Sequence, residues 1–289
     1  MAGTWQSLVN RPPGGVSTMV LLTDGSVFCR GDDNTPAGGR QWFRLSPSVM
    51  GSYIDGVWSS AAPSSNSRRY YASAVLGDGT VFVAGGEESD GGTDLNAAEL
   101  YDPKTDAWKI LPTPPGWSAI GDAPCCVLAD GRVLLGSIMT TSTAVFDPSR
   151  NSWSTGGTKD DRSAEETWTL LPDGTVLTVE CSNHPKAEKY VPSENRWLSA
   201  GTLPIELVQA SSTEIGPAIL MADGRVFALG ATGHTAFYAH TTSPNLPGAW
   251  LPGPDLPPDP NGIQLIAKDA PAALLPNGRV LCVASPLAA

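Results

Sequence analysis

The sequence predicts an all-β protein made of repeated antiparallel strands, and three observations lead to this prediction. Glycine and proline are frequent, with 31 and 26 of the 289 residues, which is typical of a chain with many turns. No run of about eighteen apolar residues occurs, so a transmembrane helix is not expected. An apolar run, a glycine-containing turn and a second apolar run recur six times along the chain.

The turns of this repeat are Asp-Gly or Asn-Gly pairs between short apolar runs. They begin at Asp24, Asp78, Asp130, Asp173, Asp223 and Asn277, at intervals of 43 to 54 residues. Such pairs are typical of type I′ hairpin turns, because both central residues of that turn need a positive φ. The intervals therefore indicate one hairpin-containing unit repeated with connecting loops of different length.

Each repeat also predicts a third and a fourth strand. The third carries an aromatic residue before a turn, as in Leu100-Tyr101-Asp102-Pro103. The fourth carries one tryptophan, and the series is Trp5, Trp58, Trp108, Trp153, Trp197 and Trp250. We expect these tryptophans to pack between neighbouring repeats, because a large aromatic ring contributes most where it is buried.

The order of hairpin, aromatic strand and tryptophan strand resembles the kelch motif. The most faithful unit runs from Arg69-Tyr70-Tyr71 through Gly85-Gly86 to Trp108-Lys109. The resemblance covers nearly the whole chain, although the double glycine is complete only at Gly85-Gly86. It implies a six-bladed β-propeller of four-stranded antiparallel blades, forming a single domain over residues 1–289.

The two ends of the chain predict a shared last blade. Thr4–Leu8 has the pattern of a tryptophan strand, and Arg279–Val283 has the pattern of the second strand of the sixth repeat. We expect the N-terminal strand to complete the sixth blade, which still lacks one strand. A chain truncated from a longer protein would explain this, and a monomer is expected unless the open blade pairs with another copy.

Charge and motifs exclude several classes of function. A net charge of −11 and a pI near 4.6 argue against nucleic acid, which binds basic surfaces. No P-loop or dinucleotide fingerprint occurs, so no nucleotide or flavin cofactor is expected. Galactose oxidase and its propeller relatives hold copper through an adjacent Tyr-His pair that is absent here, so copper is not expected. The N-terminus shows no secretory signal, and no localisation is predicted.

Aligning the repeats on their turns brings several polar residues into one register. In a kelch-like blade the first strand is innermost, so residues eight or nine positions before each turn lie at one mouth of the channel. The carboxylates there are Asp122, Glu165, Glu214 and Asp269, accompanied by Arg69, Tyr70 and Lys268. His184 and His234 stand eleven positions after their turns and are expected at the same mouth.

These residue types point to two kinds of chemistry. Converging carboxylates raise each other's pKa unless a cation offsets them, so Asp122, Glu165, Glu214 and Asp269 are candidate ligands for one divalent cation. Carboxylates alone suit Ca²⁺, whereas imidazole with carboxylate suits Zn²⁺. The alternative is that these carboxylates are solvated or form salt bridges without any ligand.

Two functions follow from this site. The first is a hydrolase of esters or phosphoesters, including lactone-like and phosphotriester substrates, by analogy with other six-bladed propellers. His184, His234, Glu165 and Asp122 would be catalytic, and Arg69, Tyr70 and Lys268 would bind the small-molecule substrate. The alternative is a non-catalytic module that binds a protein or glycan through the loops at 32–38 and 87–95.

Overall fold

The computed structural model describes residues 4–35, 38–87 and 92–287, and in these ranges the regular elements are β-strands without any helix. The chain divides into two compact units, Met1–Asp122 and Ala123–Ala289. None of the described residues belongs to a helix long and apolar enough to cross a membrane. The single domain over residues 1–289 and the number of six blades stay predictions.

The first unit contains two four-stranded antiparallel sheets. Both are simple meanders, with orders β1-β2-β3-β4 and β5-β6-β7-β8. Their strands are β1 (Gly15–Leu21), β2 (Val27–Asp32), β3 (Trp42–Ser46), β4 (Val57–Ala61), β5 (Ala72–Val75), β6 (Val81–Ala84), β7 (Ala98–Asp102) and β8 (Ala107–Ile110). This is the blade topology predicted from the repeats.

The second unit contains three further meanders of the same kind and two short pairings. The first four-stranded sheet consists of β9 (Cys125–Val127), β10 (Val133–Leu135), β11 (Ser142–Asp147) and β12 (Ser152–Thr158). The second consists of β13 (Trp168–Leu170), β14 (Val176–Val179), β15 (Lys186–Val191) and β16 (Arg196–Thr202). The third consists of β17 (Ala218–Leu220), β18 (Val226–Leu229), β19 (Thr235–Ala239) and β20 (Ala249–Pro252). Two-stranded pairings join β21 (Leu265–Ile266) to β24 (Ser285–Pro286) and β22 (Ala272–Leu274) to β23 (Val280–Cys282).

All six predicted turns join a first strand to a second strand, but their type differs from the prediction. Gly25 has φ 82°, and Asp24 is not among the residues with positive φ. Gly25 N donates to Leu22 O, and Leu22 N donates to Ser26 O. The loop therefore has three residues, a tight turn followed by a left-handed glycine that forms a bulge. The type I′ assignment was wrong, because that turn needs positive φ at both residues.

The aromatic residue of a third strand packs against the tryptophan of the fourth strand in the same blade. The ring centroids of Tyr101 and Trp108 are 5.1 Å apart, and those of Tyr238 and Trp250 are 4.9 Å apart. Trp108 Nε1 donates to the carbonyl of Ala62, which follows the last strand of the preceding sheet. Trp250 Nε1 makes the corresponding bond to the carbonyl of Ala200 on β16, so each of these two tryptophans links its blade to the one before it.

The first strands of the second unit lie side by side. β13 contacts both β9 and β17, and β17 in turn contacts β22. The starts of these strands therefore converge, as expected for the innermost strands of propeller blades. The loops before them become neighbours although they are about 50 residues apart in sequence.

The N-terminus differs from the prediction. Residues 4–14 contain no strand, and the side chain of Trp5 is 88 % exposed. The strand expected at Thr4–Leu8 is therefore absent. The residues that follow it bond to the loop before β4, where Val9 N donates to Ile54 O and Asn10 Nδ2 donates to Gly56 O. At the other end, β22 and β23 form a two-stranded sheet, joined by the turn at Asn277.

Candidate functional site

Three of the predicted carboxylates meet in the second unit. One oxygen from each of Glu165, Glu214 and Asp269 lies within 4.8 Å of the others. Each residue precedes the first strand of its sheet by a few positions, before β13, β17 and β22 respectively. The convergence of these strands therefore brings the three side chains together, and we call this group the mouth triad.

The backbone at this register is unusual. Tyr70, Glu165 and Asp269 all stand eight positions before their turns, and their φ angles are 48°, 61° and 47°. A left-handed conformation costs a non-glycine residue about 1 kcal/mol or more, least for aspartate and asparagine. These equivalent positions therefore share a left-handed backbone conformation, in addition to carrying polar side chains.

Lys268 contacts one residue of the mouth triad. Its Nζ forms an ion pair with Glu214 Oε2, and both side chains are partly exposed. The ammonium neutralises one of the three carboxylates. The predicted role of Lys268 in binding a substrate anion stays a prediction.

Each of the two histidines pairs with a carboxylate that the sequence analysis did not single out. His184 Nδ1 lies 2.7 Å from Glu206 Oε2, and His234 Nδ1 lies 2.8 Å from Asp255 Oδ1. Because the mouth triad consists of carboxylates, the ligands that it offers to a metal ion are carboxylate oxygens. This donor set suits Ca²⁺ better than the Zn²⁺ considered from the sequence.

Sequence reasoning did not single out Glu206 or Asp255. Both lie in the loop after a fourth strand: Glu206 stands two residues after Pro204, in the loop after β16, and Asp255 stands directly after Pro254, in the loop after β20. Aligning on the loops after the fourth strands, instead of on the turns alone, would have shown the parallel.

Arg69, Tyr70 and Asp122 belong to the first unit. Arg69 Nη2 donates to Asp32 Oδ1 at 3.0 Å and to the carbonyl of Thr35 at 2.9 Å. The backbone N–H of Asn34, followed by Arg69, holds the pKa of Asp32 below its ordinary value. Tyr70 is 56 % exposed, and Asp122 is the last residue of this unit.

The predicted binding loops are described only in part. Residues 36–37 of the loop at 32–38 and residues 88–91 of the loop at 87–95 lie outside the described residues. In the first loop, Arg30 is buried, and its Nη1 donates to the carbonyl of Gly38 at 2.7 Å.

A second charged group in the second unit is buried, and sequence reasoning missed it. Lys159 Nζ lies 2.5 Å from Glu166 Oε1 and 3.6 Å from Glu188 Oε2. Glu180 is also buried nearby, and one oxygen each of Asp160, Glu180 and Glu188 lies within 4.8 Å of the others. Burial raises the pKa of Glu166, Glu180 and Glu188 to about 7 each. We call Lys159 and these three glutamates the Lys159 cluster.

The first unit holds a simpler counterpart. Arg68 Nη2 lies 2.5 Å from Glu99 Oε2, and both side chains are almost fully buried. Glu99 Oε1 accepts a hydrogen bond from the backbone N–H of Ser65 at 2.8 Å. Here one buried cation matches one buried carboxylate.

The two edges of the second unit's sheets also differ in charge. The turn edge is the end of each sheet where the first strand turns into the second and the third strand turns into the fourth. Here four acidic side chains each pair with an arginine two or three residues further on. These are Asp130 with Arg132, Asp147 with Arg150, Glu194 with Arg196, and Asp223 with Arg225. The loop edge consists of segments 159–167, 180–186, 203–217, 230–234 and 253–271, which contain ten carboxylates and four lysines or arginines. Asp173, at the remaining turn of this kind, accepts hydrogen bonds from Thr175 instead. Negative charge is therefore mostly compensated at the turn edge and in excess at the loop edge.

Comparison with known proteins places this fold. The four-stranded meanders with adjoining first strands define a β-propeller. A copper-complexed fungal alcohol oxidase of the AA5 family matches with a TM-score of 0.66 and 15 % identity, over 93 % of this chain and 60 % of that one. Virginiamycin B lyase from Staphylococcus aureus matches with a TM-score of 0.61 and 13 % identity, over 98 % and 87 % of the two chains. At these identities the likeness shows the fold alone.

Sequence relatives identify the repeat. Residues 68–115 match the family model of the kelch motif. The Kelch-like protein terF of Aspergillus terreus is 29 % identical over 181 residues, which are 60 % of this chain and 38 % of that protein. The F-box/kelch-repeat protein SKIP20 of Arabidopsis thaliana is 34 % identical over 100 residues, 32 % and 24 % of the two chains. These matches support a kelch-repeat family for the chain, which spans less than two fifths of these relatives' length.

Proposed function

We propose that the chain is a non-catalytic binding module that recognises basic side chains of a protein partner at the loop edge of its second unit. The observation that carries this proposal is the uneven charge compensation of the two sheet edges. Kelch repeats commonly bind proteins, in agreement with a role in recognition. An uncompensated acidic surface attracts cationic partners and steers their approach.

The mouth triad lies at the centre of this argument. Its three carboxylates come from three different sheets, and Lys268 forms an ion pair with one of them, Glu214. An incoming arginine or lysine would add positive charge to this group of carboxylates. Arginine fits best, because its planar guanidinium bonds two carboxylate oxygens at once.

The test compares the two edges directly. Fluorescence anisotropy would measure the binding of arginine-rich, acidic and neutral 15-residue peptides to the chain, in chelator and at several salt concentrations. The arginine-rich peptide is expected to bind, with an affinity that falls as salt rises. The triple variant Glu165→Gln, Glu214→Gln, Asp269→Asn should weaken binding at least ten-fold.

A control pair at the turn edge, Asp130→Asn with Asp223→Asn, removes two negative charges of the same kind. It should leave the affinity within about two-fold of the original value. Equal losses for both variants, or no preference for the arginine-rich peptide, would contradict the proposal.

The hydrolase remains a second candidate because of the two histidine–carboxylate pairs. A carboxylate on Nδ1 orients an imidazole and leaves Nε2 free to take a proton from water. If this candidate is correct, the chain turns over an ester, lactone or phosphotriester substrate, and His184→Ala or His234→Ala lowers kcat at least a hundred-fold. Absence of turnover over a panel of these substrates, with Ca²⁺ and with Zn²⁺, would remove it.

A further inference from the structure

We propose that Asp160, Glu180 and Glu188 form a calcium site in the second unit, separate from the mouth triad. Asp160 follows β12, Glu180 follows β14, and Glu188 lies on β15. The site therefore lies where the last strand of one sheet adjoins the loop edge of the next. One oxygen of each residue lies within 4.8 Å of the other two.

The first argument is an unsatisfied buried carboxylate. Glu180 is 1 % exposed, and among the described residues no hydrogen-bond donor reaches its Oε2. Its carboxylate faces the group, because one of its oxygens belongs to the cluster of three. A buried charge without a partner is expensive, so a ligand for this oxygen is expected.

The second argument is the balance of charge. Lys159 is the buried cation of the group, and its Nζ lies closest to Glu166, at 2.5 Å. Its distance to Glu188 Oε2 is 3.6 Å, beyond a hydrogen bond. Asp161, also buried, accepts from the backbone N–H groups of Ser182 and Asn183. After Lys159 is assigned to Glu166, the carboxylates of Glu180 and Glu188 remain without a full positive charge.

The third argument is the chemistry of the ligands. All three are carboxylates, with one oxygen of each within 4.8 Å of the others, and oxygen ligands suit a hard cation. Ca²⁺ accepts irregular coordination by about six to eight oxygens, whereas Mg²⁺ needs near-ideal octahedral geometry, so a site built from a strand and two loops favours Ca²⁺. Asp160 is exposed, so an ion can enter from solvent and keep some of its water ligands.

The local geometry also holds the ligands in position. Glu188 Oε1 accepts a hydrogen bond from the backbone N–H of Asp160 at 3.1 Å. This bond ties two of the proposed ligands together and leaves Glu188 Oε2 available to the ion. Pairing of β14 with β15 places Glu188 opposite Thr178, two residues before Glu180, so the third ligand is fixed by the sheet.

The test is calorimetric titration of the chelator-treated full chain with CaCl₂, and separately with MgCl₂. One Ca²⁺ per chain is expected, with Mg²⁺ binding at least ten-fold more weakly and Ca²⁺ raising the melting temperature. Glu180→Gln and Asp160→Asn should each weaken Ca²⁺ binding at least ten-fold. Asp160→Asn changes an exposed side chain, so it tests the site even if Glu180→Gln fails to fold.

Glu165→Gln is the matched control, since it removes a carboxylate of the mouth triad only. It should change Ca²⁺ affinity less than two-fold. The proposal is overturned if the wild-type chain binds no Ca²⁺ at millimolar concentration, since a shared proton would then satisfy the glutamates. It is equally overturned if Glu165→Gln weakens Ca²⁺ binding as much as Asp160→Asn does.

Discussion

Glu99 in the first unit and Glu188 in the second unit occupy the same place in their blades but have different neighbours. Each lies on a third strand, two residues before a buried tyrosine, Tyr101 or Tyr190. Glu99 has Arg68 to itself, at 2.5 Å. Glu188 shares the ammonium of Lys159 with Glu166, and Glu180 lies beside it.

The comparison of Glu99 with Glu188 shows which buried charges a blade neutralises by itself and which it does not. The blade tolerates a buried glutamate at this place because one buried cation neutralises it, as Arg68 does for Glu99. The additional glutamates of the Lys159 cluster add negative charge that contributes nothing to this balance. Such a surplus costs stability unless a further cation or proton offsets it, so its presence points to a ligand.

The largest loss of stability is expected where one buried carboxylate is fully neutralised by one buried cation. Glu99→Gln leaves the buried guanidinium of Arg68 without its counter-charge and should lower the free energy of unfolding by about 3–5 kcal/mol. Urea unfolding followed by tryptophan fluorescence would measure it. Asp102→Asn, at the solvent end of the same strand, is the control, and a loss below about 1 kcal/mol for Glu99→Gln would remove the contrast.

A smaller effect is expected at Glu188, although its position in the blade is the same. In chelator, Glu188→Gln should change the free energy of unfolding by less than about 1 kcal/mol, because Lys159 keeps Glu166 and the repulsion of Glu180 is relieved. The same urea titration measures it. A loss as large as that of Glu99→Gln would mean that Lys159 stabilises Glu188 more than it stabilises Glu166.

The two tyrosines should respond alike, which would confine the difference to the charged groups. Tyr101 Oη donates to Asp106 Oδ1 at 2.8 Å, and Tyr190 Oη donates to Asn195 Oδ1 at 2.6 Å. Tyr101→Phe and Tyr190→Phe should each cost about 1 kcal/mol. Unequal losses by thermal unfolding would show that the blades differ in more than their charges.

The smallest effect is expected at the turn edge, in acid. Hydrogen bonds from Arg132 and Arg225 hold the pKa values of Asp130 and Asp223 below the ordinary value of 3.8. The stability that they contribute is present above pH 3.8 and is lost as the pH falls through their folded pKa values. Asp130→Asn with Asp223→Asn should therefore flatten the acid limb of a melting-temperature profile between about pH 4 and pH 2. An unchanged acid limb would contradict this.

Sequence reasoning reached the blades and the mouth triad because both depend on register. Hairpins follow from local turn chemistry, and Glu165, Glu214 and Asp269 meet because the starts of β13, β17 and β22 converge. The turn type was missed because an Asp-Gly pair occurs in both two-residue and three-residue loops. Local hydrogen bonds, such as that between Leu22 N and Ser26 O, decide between them.

Other parts of the site could not be predicted in this way. Glu206 reaches His184 from a loop whose length varies between repeats, so alignment on the turns does not reveal it. Lys159 stands at the end of a strand, where a charged residue is usually solvated, and its burial depends on the neighbouring sheet. Burial of this kind is a tertiary property and leaves no mark on local pattern.

The three-residue turns have a practical consequence for handling the molecule. At Asp78, the bonds that close the loop stay within five residues, from Leu76 to Thr80. A cysteine introduced here for a dye, or a short tag inserted between Gly77 and Asp78, should leave the loop edge of that blade unaltered. The chain can then be immobilised at this turn for surface-based measurements while the opposite end of the same blade stays free of the attachment.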